Sequence, residues 1–377
     1  MKKLFALSAV TLACCAAQAQ SSVTLFGVVD LNLQQTKAGD AKTTQVNNGG
    51  LSTSRLGFRG TEDLGGGLSA GFWLEASLNP DNGEGRNTNT NNQPSGAGAS
   101  AAGTTGIKFD RVSYVSLASS SIGELRLGHD FIPTHWSSIY FDPFNANGLA
   151  RAGNLTFAGV TAAPLPTAIT GSNSISYWLP PNIGGVYGEV MVGLGENTSD
   201  STTPHDGDFA GFRLGYAAGP FDVAVAMTKT KNVASATIGK YTHANIGGTW
   251  NAGFAKFFAL YNTVKVELLA GNVRKNTLEI GAHVPVTPAG RIRLSYAKLD
   301  DRSDGALRNP DASLRSGNDA RQLGLGYVHD LSKRTALYTN YARITNHGQA
   351  TYTVSGGRAP LGGQNSSGIE FGVRHLF

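Results

Sequence analysis

Charged side chains recur at alternate positions in several short segments of this sequence, with apolar side chains between them. Arg55 and Arg59 share one side of a strand, and Leu56 and Phe58 share the other, because successive strand residues point to opposite faces. The same alternation places two further charged residues on polar faces, Glu75 and Arg126. Fixed charges in such a row can act on nearby ions through their electric field. The pattern therefore indicates strands that have one apolar face and one charged face.

Residue types that could support catalysis or metal binding occur without the spacing that such chemistry needs. His129 and His135 lie six residues apart with Asp130 between them, which is not a metal-ligand pattern, and a pore-lining or surface position is the favoured interpretation. No nucleophile elbow frames a serine. The sequence predicts no enzyme, no metal site and no cofactor.

The first nineteen residues read as an export signal. Lys2 and Lys3 precede a short apolar core, and Ala17-Gln18-Ala19 is a cleavage site of the A-x-A type. Both cysteines of the chain lie within this segment, so the mature chain has no disulfide or thiolate chemistry. We expect a cleaved signal at 1–19 and one mature domain at 20–377.

The composition of the remainder excludes two classes of protein. It contains no run of eighteen apolar residues, so a helical membrane protein is not expected. The formal net charge is +5, or +3 without Lys2 and Lys3, with no basic run, which argues against nucleic-acid binding. Forty-nine glycines and ordinary hydropathy are typical of a transmembrane barrel, in which half of each strand faces lipid and half faces water.

Period-two alternation extends through the whole mature length and predicts sixteen strands. The predicted strands are 22–33, 51–61, 67–78, 108–118, 123–130, 172–179, 186–195, 208–217, 221–229, 241–251, 254–264, 276–286, 291–299, 320–329, 335–344 and 367–377. An even number suits a closed single-chain antiparallel barrel.

The predicted connections alternate in length. Short ones are rich in Gly, Pro, Asp and Ser, as turns are. The predicted long ones are 34–50, 79–107, 131–171, 196–207, 230–240, 265–275, 300–319 and 345–366. Short turns at one rim and long loops at the other are typical of outer-membrane barrels. We expect short periplasmic turns and long extracellular loops.

The C-terminal segment GIEFGVRHLF alternates and ends on an aromatic residue. Phe377 would suit the aromatic girdle of a barrel at the lipid interface. We expect segment 22–33 to pair with 367–377 and close the barrel. Alternation alone would also fit a soluble sandwich, but the export signal, Phe377 and the strand count favour the barrel.

Several segments together resemble the general Gram-negative porins of the type common in β-proteobacteria. The stretch RLGFRGTEDLGGGL at 55–68 carries the resemblance, with SVTLFGVVD at 22–30, RVSYVSL at 111–117, GELRLG at 123–128 and the GVRHLF end. The resemblance implies a sixteen-stranded barrel that forms a homotrimer in the outer membrane, with one water-filled pore per subunit for passive diffusion of ions and small hydrophilic solutes. Implied partners are outer-membrane lipid, lipopolysaccharide and the barrel-assembly machinery, which would read the C-terminal strand.

In that family the third long loop folds into the lumen and narrows it, and here that loop is 131–171. By position, Arg55, Arg59 and Arg111 match the family's wall cations. The candidates for the opposing loop acids are Asp142 and, less directly, Asp130. Other candidates for lumen-facing residues are Glu75, Arg126 and Arg151.

Two departures from the family pattern remove positive charge. A basic residue often precedes the asparagine–serine pair after the third loop, where this chain has Gly171 and Ser172, and the position after Gly128 is His129 in place of arginine. We therefore expect weak anion preference or near neutrality. Two alternatives remain open. A substrate-specific channel would need an aromatic track, for which Trp73 and Trp136 are too few, and an adhesin or enzyme would need a passenger or a catalytic set.

Overall fold

Antiparallel strands make up most of the protein. The computed structural model describes residues 22–96, 106–160 and 165–377, so the predicted export signal lies outside the described residues. The strands are β1 (Ser22–Ala38), β2 (Ala41–Asn48), β3 (Arg55–Gly65), β4 (Leu68–Asn79), β5 (Glu84–Gly85), β6 (Val112–Ser119), β7 (Gly123–Phe131), β8 (Thr170–Trp178), β9 (Val186–Gly193), β10 (Phe209–Ala218), β11 (Phe221–Thr230), β12 (Lys240–Asn251), β13 (Lys256–Leu268), β14 (Gly271–Pro285), β15 (Gly290–Asp301), β16 (Ala320–Asp330), β17 (Thr335–Asn346) and β18 (Ser366–Leu376). The helices are α1 (Pro133–Phe141) and α2 (Gly153–Thr156), with short 3₁₀ turns at Pro94–Gly96 and Arg315–Gly317.

The strands close into a barrel. β18 pairs with β1 in a register that runs from Val28 opposite Leu376 to Ala38 opposite Ser366. β2 and β3 are two parts of one wall position, since β2 pairs with the second half of β1 and β3 with the first half. β5 only extends the end of β4. In the part of the chain that the structure describes, the barrel therefore has sixteen wall positions, and the predicted closure is confirmed.

Two of the predicted long connections are wrong. The predicted loop at 34–50 is mostly strand, because β1 continues to Ala38 and a tight turn at Gly39 leads into β2. Apart from Val46 and two alanines its side chains are polar, and Gln45 and Asn47 both donate to the side-chain oxygen of Gln34, at 2.9 and 3.1 Å. Because most side chains on both faces of this hairpin are polar, its sequence does not show the alternation of apolar and polar residues that marks a strand.

The predicted loop at 265–275 is also strand, interrupted only between Leu268 and Gly271. Here the apolar face of the strand points into the barrel and the charged face points outward, the reverse of the usual arrangement. Val266 and Val273 point inward and are fully buried, while Lys265 and Arg274 point outward. The charged outer face made this part of the strand look like a loop.

The outer surface of the barrel is an apolar belt. On β11, Phe221, Val223 and Val225 are 40–54% exposed, whereas Ala224 and Thr228 on the inner face are buried. Leaving such side chains in water would forfeit about 25 cal/mol per Å² of apolar surface. At the rim with the short turns, rings stack in a row, with Trp250 5.5 Å from Phe257. An apolar belt with an aromatic edge matches a bilayer and its interface.

No helix among the described residues is long and apolar enough to cross a membrane. The buried apolar core instead lies inside the barrel, between the wall and the segment that joins β7 to β8. Its main cluster holds Phe144, Leu149 and Leu155 from that segment against Leu299 and Ile344 from the wall. This internal core fixes the segment that shapes the lumen.

The C-terminal residue extends the closing pair of strands by one step. The backbone N–H and C=O of Phe377 both bond to Gly27, each at 3.1 Å. The aromatic ring lies over Gly27, where any Cβ would collide with it. Phe377 is 44% exposed, so its ring lies on the outer surface at the rim with the short turns.

Candidate functional site

The described parts of the segment between β7 and β8, 132–160 and 165–169, lie in the interior of the barrel. Pro133 starts α1 at the position where a missing N–H costs nothing. The helix ends at Phe141, and Pro143 cannot continue it. α1 packs against β9 to β13 on the inner wall. The predicted inward fold of the third long loop is confirmed.

Hydrogen bonds hold this loop to the wall along its length. Asn245 donates to the backbone oxygen of Thr134 at 2.9 Å, and His283 Nε2 lies 2.7 Å from the backbone oxygen of Pro143. Further along, Gln322 donates to the backbone oxygen of Ala150 at 2.8 Å. These three wall residues belong to β12, β14 and β16, so these bonds tie the loop across five of the sixteen wall strands.

Glycines on the inner wall make room for the loop. A Cβ at Gly247 would stand 2.6 Å from the ring of Phe141, and one at Gly368 would stand 2.9 Å from Leu149. Gly211 and Gly324 meet Pro133 and Phe144 in the same way, at 3.3 and 3.1 Å. A series of wall positions without side chains therefore receives the loop and sets its depth.

Asp142, the predicted loop acid, does not line the lumen. Its side chain is 1% exposed and accepts hydrogen bonds from the backbone N–H groups of Phe144, Ala146 and Ala152 at 2.6 to 3.2 Å. Burial raises the pKa of Asp142 to about 6, although the three donors oppose this shift. The assignment of Asp142 as an acid facing the wall is thus wrong: its carboxylate organises the turn that follows α1.

Two cavities occupy the lumen, one on each side of the loop. The cavity toward the long-loop rim has a volume of about 560 Å³, and the cavity toward the short-turn rim has a volume of about 800 Å³. Both are lined by the same six residues where they meet, and these define the neck: Thr53, Arg111, Phe131, His135, Ala146 and Asn147. Any solute that passes between the cavities passes these side chains.

Three predicted residues form one charged group beside the neck. Glu75 is 5% exposed and accepts a close hydrogen bond from Arg111 Nε. Arg55 Nε lies 3.6 Å from the same carboxylate oxygen. The guanidinium of Arg111 also lies 5.0 Å from the ring centre of Phe131. One acid is therefore shared by two cations, and this part of the wall keeps a net positive charge.

Arg126 and Asp130 line the larger cavity as an ion pair. Arg126 bonds to Asp130 at 3.0 Å and to Glu124 at 2.9 Å, and its guanidinium stacks 4.2 Å from the ring centre of Trp178. Asp130 belongs to β7, so this acid is on the wall rather than on the loop.

The other two predicted cations lie away from the neck. Arg59 stacks on Trp73 at 5.2 Å nearer the short-turn rim and lines neither cavity. Arg151 lies on the loop, lines the smaller cavity and donates to Asn154 at 3.2 Å. Thr170 lines the same cavity, so Arg151 lies near the position where the expected wall cation is missing.

Sequence analysis missed four wall cations that line the larger cavity: Arg213, Arg291, Arg293 and Arg374. Arg213 and Arg293 each occupy an inward strand position between outward apolar residues, as Arg293 does between Ile292 and Leu294. The period-two signal could have identified them. It also missed most of the aromatic lining, which comprises Trp73, Tyr114, Phe131, Trp136, Tyr140, Trp178 and Tyr187.

Comparison with known proteins agrees with this geometry. A sequence profile described as Gram-negative porin matches residues 6–349. The chain is 34% identical to outer membrane porin protein 32 of Delftia acidovorans over the full length of both.

The chain belongs to the Gram-negative porin family.

Two further relatives give the extent of the match. This porin is 25% identical to an outer membrane porin protein of Bordetella pertussis, over 96% of each chain. Its fold matches the solved structure of an anion-selective porin from Comamonas acidovorans with a TM-score of 0.78 and 32% identity, covering 95% of this chain and 100% of the other. Family and fold together place this porin in the outer membrane as a channel protein for passive diffusion.

Proposed function

We propose that this porin is an anion-preferring diffusion channel whose selectivity is set at the neck and the larger cavity. The observation that carries the proposal is the charge of the lining. Among the described residues, seven arginines line the larger cavity against three acids: Arg55, Arg111, Arg126, Arg213, Arg291, Arg293 and Arg374 against Glu75, Asp130 and Asp222. Fixed charge of one sign on low-dielectric walls concentrates counter-ions and lowers their barrier.

The loop side of the neck is uncharged. His135, Ala146 and Asn147 face Arg111 there, and the buried carboxylate of Asp142 points away from the lumen. In our proposal the selecting field therefore comes from the excess of wall arginines. The sequence analysis left near neutrality open because a wall cation is absent near Gly171. The four additional wall arginines of the larger cavity outnumber that single cation, so we favour anion preference over near neutrality.

The relatives support the same direction. The structure from Comamonas acidovorans is that of an anion-selective porin, and it shares about a third of its residues with this chain. We also propose the finer expectations of the sequence analysis: a homotrimer, recognition of the C-terminal strand by the barrel-assembly machinery, and no catalytic activity.

The test is the reversal potential of the purified porin in a planar bilayer under a potassium chloride gradient. We expect a sign that reports chloride preference, with a smaller value in Arg111→Gln. Lys333→Gln, an equal charge change in the exposed turn after β16, should leave it unchanged. Cation preference, or no preference in the wild type, would overturn the proposal.

A substrate-specific channel remains the second candidate, and the aromatic lining favours it. Seven aromatic side chains face the larger cavity, and Tyr140 is 48% exposed within it. Planar anions could stack on such rings while pairing with arginine. The test compares how benzoate and acetate block the chloride current. If benzoate blocks the current, and its block saturates at concentrations well below those at which acetate acts, the result would favour this candidate. Equal, non-saturating effects of the two would argue for general diffusion.

A further inference from the structure

Part of the connection between β4 and β6 folds back over its own barrel at the long-loop rim. Asn92 is buried there, donates to the backbone oxygen of Ser172 at 2.9 Å and accepts from the backbone N–H of Ser172 at 2.8 Å. Gln93 donates to the backbone oxygen of Gly195 at 2.9 Å. Because Ser172 belongs to β8 and Gly195 follows β9, these bonds fix residues 86–93 on the barrel, and we call this segment the mouth loop.

The mouth loop brings a cation to the smaller cavity. Its residues 86–89 line that cavity, and the first of them is Arg86. The guanidinium of Arg86 donates to the side-chain oxygens of Asn79 and Asn48, at 3.1 and 3.4 Å. Both acceptors are neutral amides, so these bonds hold the guanidinium in place without compensating its charge.

Three arginines meet around the smaller cavity among the described residues. Arg86 comes from the mouth loop, Arg111 from the neck and Arg151 from the inward loop. Arg86 lies close enough to both of the others to interact with them electrostatically. Asp110 is the one acid in the described lining of this cavity. Like charges that outnumber the acids beside them repel each other, and an anion in the cavity would relieve this repulsion.

The three arginines lie at different depths of the channel. Arg111 lies at the neck, whereas Arg86 belongs to a long connection, and long connections mark the extracellular rim of an outer-membrane barrel. Salt screens a fixed charge within about 10 Å at 0.1 M and within about 30 Å at 0.01 M. A charge at one mouth therefore acts most strongly when the dilute solution bathes that mouth.

Building on the proposed anion preference, we propose that Arg86 is a specificity-determining residue at the extracellular mouth and that Asn92 positions it. The charge of Arg86 concentrates anions in the smaller cavity before they reach the neck. Asn92 contributes by holding the mouth loop on β8, which keeps Arg86 at the cavity. The selectivity of this porin is then asymmetric, because one of its selecting charges lies at one mouth alone.

The test is the reversal potential of single porins under a potassium chloride gradient, with the dilute solution first at the extracellular mouth and then at the periplasmic mouth. We expect Arg86→Gln to lower the chloride-to-potassium permeability ratio about two- to threefold in the first arrangement, as loss of one charge about 7 Å from the ion path implies. In the second arrangement the ratio should change little. Arg86→Lys keeps the charge and should keep the ratio.

The matched control is Lys42→Gln. It removes an exposed cation of β2 at the same rim, outside both cavities, and should match the wild type in both arrangements. Orientation in the bilayer is read from Leu361→Cys, carried in every variant at a loop residue that is 74% exposed. Both native cysteines lie in the predicted export signal, so a biotin label on this thiol binds streptavidin from the extracellular side.

A second variant tests the positioning role of Asn92. Asn92 has a φ of +58°, which glycine adopts without strain, so Asn92→Gly removes the side-chain bonds and leaves the backbone unstrained. We expect it to lower the permeability ratio in the first arrangement, as Arg86→Gln does. Arg86→Gln/Asn92→Gly should show no further lowering, since Asn92 acts through Arg86.

The possible results separate this inference from the proposed function. A wild type that prefers chloride, with an Arg86→Gln variant that keeps the ratio or loses it equally in both arrangements, would overturn the role of Arg86 alone. An equal loss in Lys42→Gln would do the same, because any charge at the rim would then suffice. Further lowering in the double variant would overturn the role of Asn92. No chloride preference in the wild type would overturn the proposed function as well. Heat-modifiable migration in gels establishes that each variant is folded.

Discussion

At the scale of residues, the lumen owes its charge to arginines that are only partly neutralised. At the neck, Glu75 is the acid that pairs with Arg111, and it serves both Arg55 and Arg111. The arginines remain near the passage because aromatic rings support them, as Phe131 supports Arg111. Such stacking keeps a guanidinium in place without neutralising it. Selectivity should therefore respond to single charges in this group.

We predict that Glu75→Gln increases chloride preference. The substitution leaves two wall cations without their acid, and one unit charge at about 4 Å contributes about 1 kcal/mol even in water, or about fivefold in a permeability ratio. The measurement is the reversal potential at low salt. Glu62→Gln, at an exposed position of β3 outside both cavities, is the control. An unchanged ratio in Glu75→Gln would show that this acid does not act on passing ions.

At the scale of elements, the inward loop and the inner wall are shaped for each other. The loop supplies Phe141, Phe144 and Leu149, and the wall supplies glycines at the points of contact. Asp142 folds the loop backbone back on itself between these contacts. The width of the neck is thus fixed by how deeply the loop sits in the wall.

We predict that Gly247→Val pushes the loop away from β12 and changes the single-channel conductance. The new side chain would meet the buried ring of Phe141, and overpacking of this kind costs about 1 to 3 kcal/mol. Ala244→Val on the outward face of the same strand is the control. Conductance in Gly247→Val that matches both wild type and control would mean that the loop does not set the neck.

At the scale of the whole molecule, closure depends on the last strand. β18 joins β17 to β1, and Phe377 adds two backbone hydrogen bonds to Gly27 at the end of this seam. A closed barrel has no free edge and satisfies its backbone within the bilayer. The seam is therefore the place where the loss of one residue affects the entire fold.

We predict that deletion of Phe377 lowers the amount of folded, heat-modifiable porin in outer membranes several-fold. The deletion removes two hydrogen bonds, each worth about 1 kcal/mol, together with the ring over Gly27. Phe377→Ala separates the two effects, since it keeps the backbone bonds. Leu361→Ala, which truncates an exposed loop residue, is the control. Normal amounts of folded protein after the deletion would refute this role.

The sequence by itself determined the barrel, the number of its wall strands and most of their bounds, although β3 and β6 begin four residues later than predicted. It did so because lipid on one side and water on the other impose a period of two on every strand that crosses the bilayer. It was wrong where that contrast is missing: at 34–50, where both faces are polar, and at 265–275, where the apolar face points inward.

The lining of the lumen was decided only by the tertiary structure. Arg55, Glu75 and Arg111 were found from the sequence, but their sharing of one carboxylate needs three strands in register. The orientation of Asp142 depends on the fold of its own loop, and the depth of that loop depends on glycines from strands far away in sequence. Period-two patterns report which face a side chain occupies, whereas the charge of a neck depends on which faces meet across the lumen.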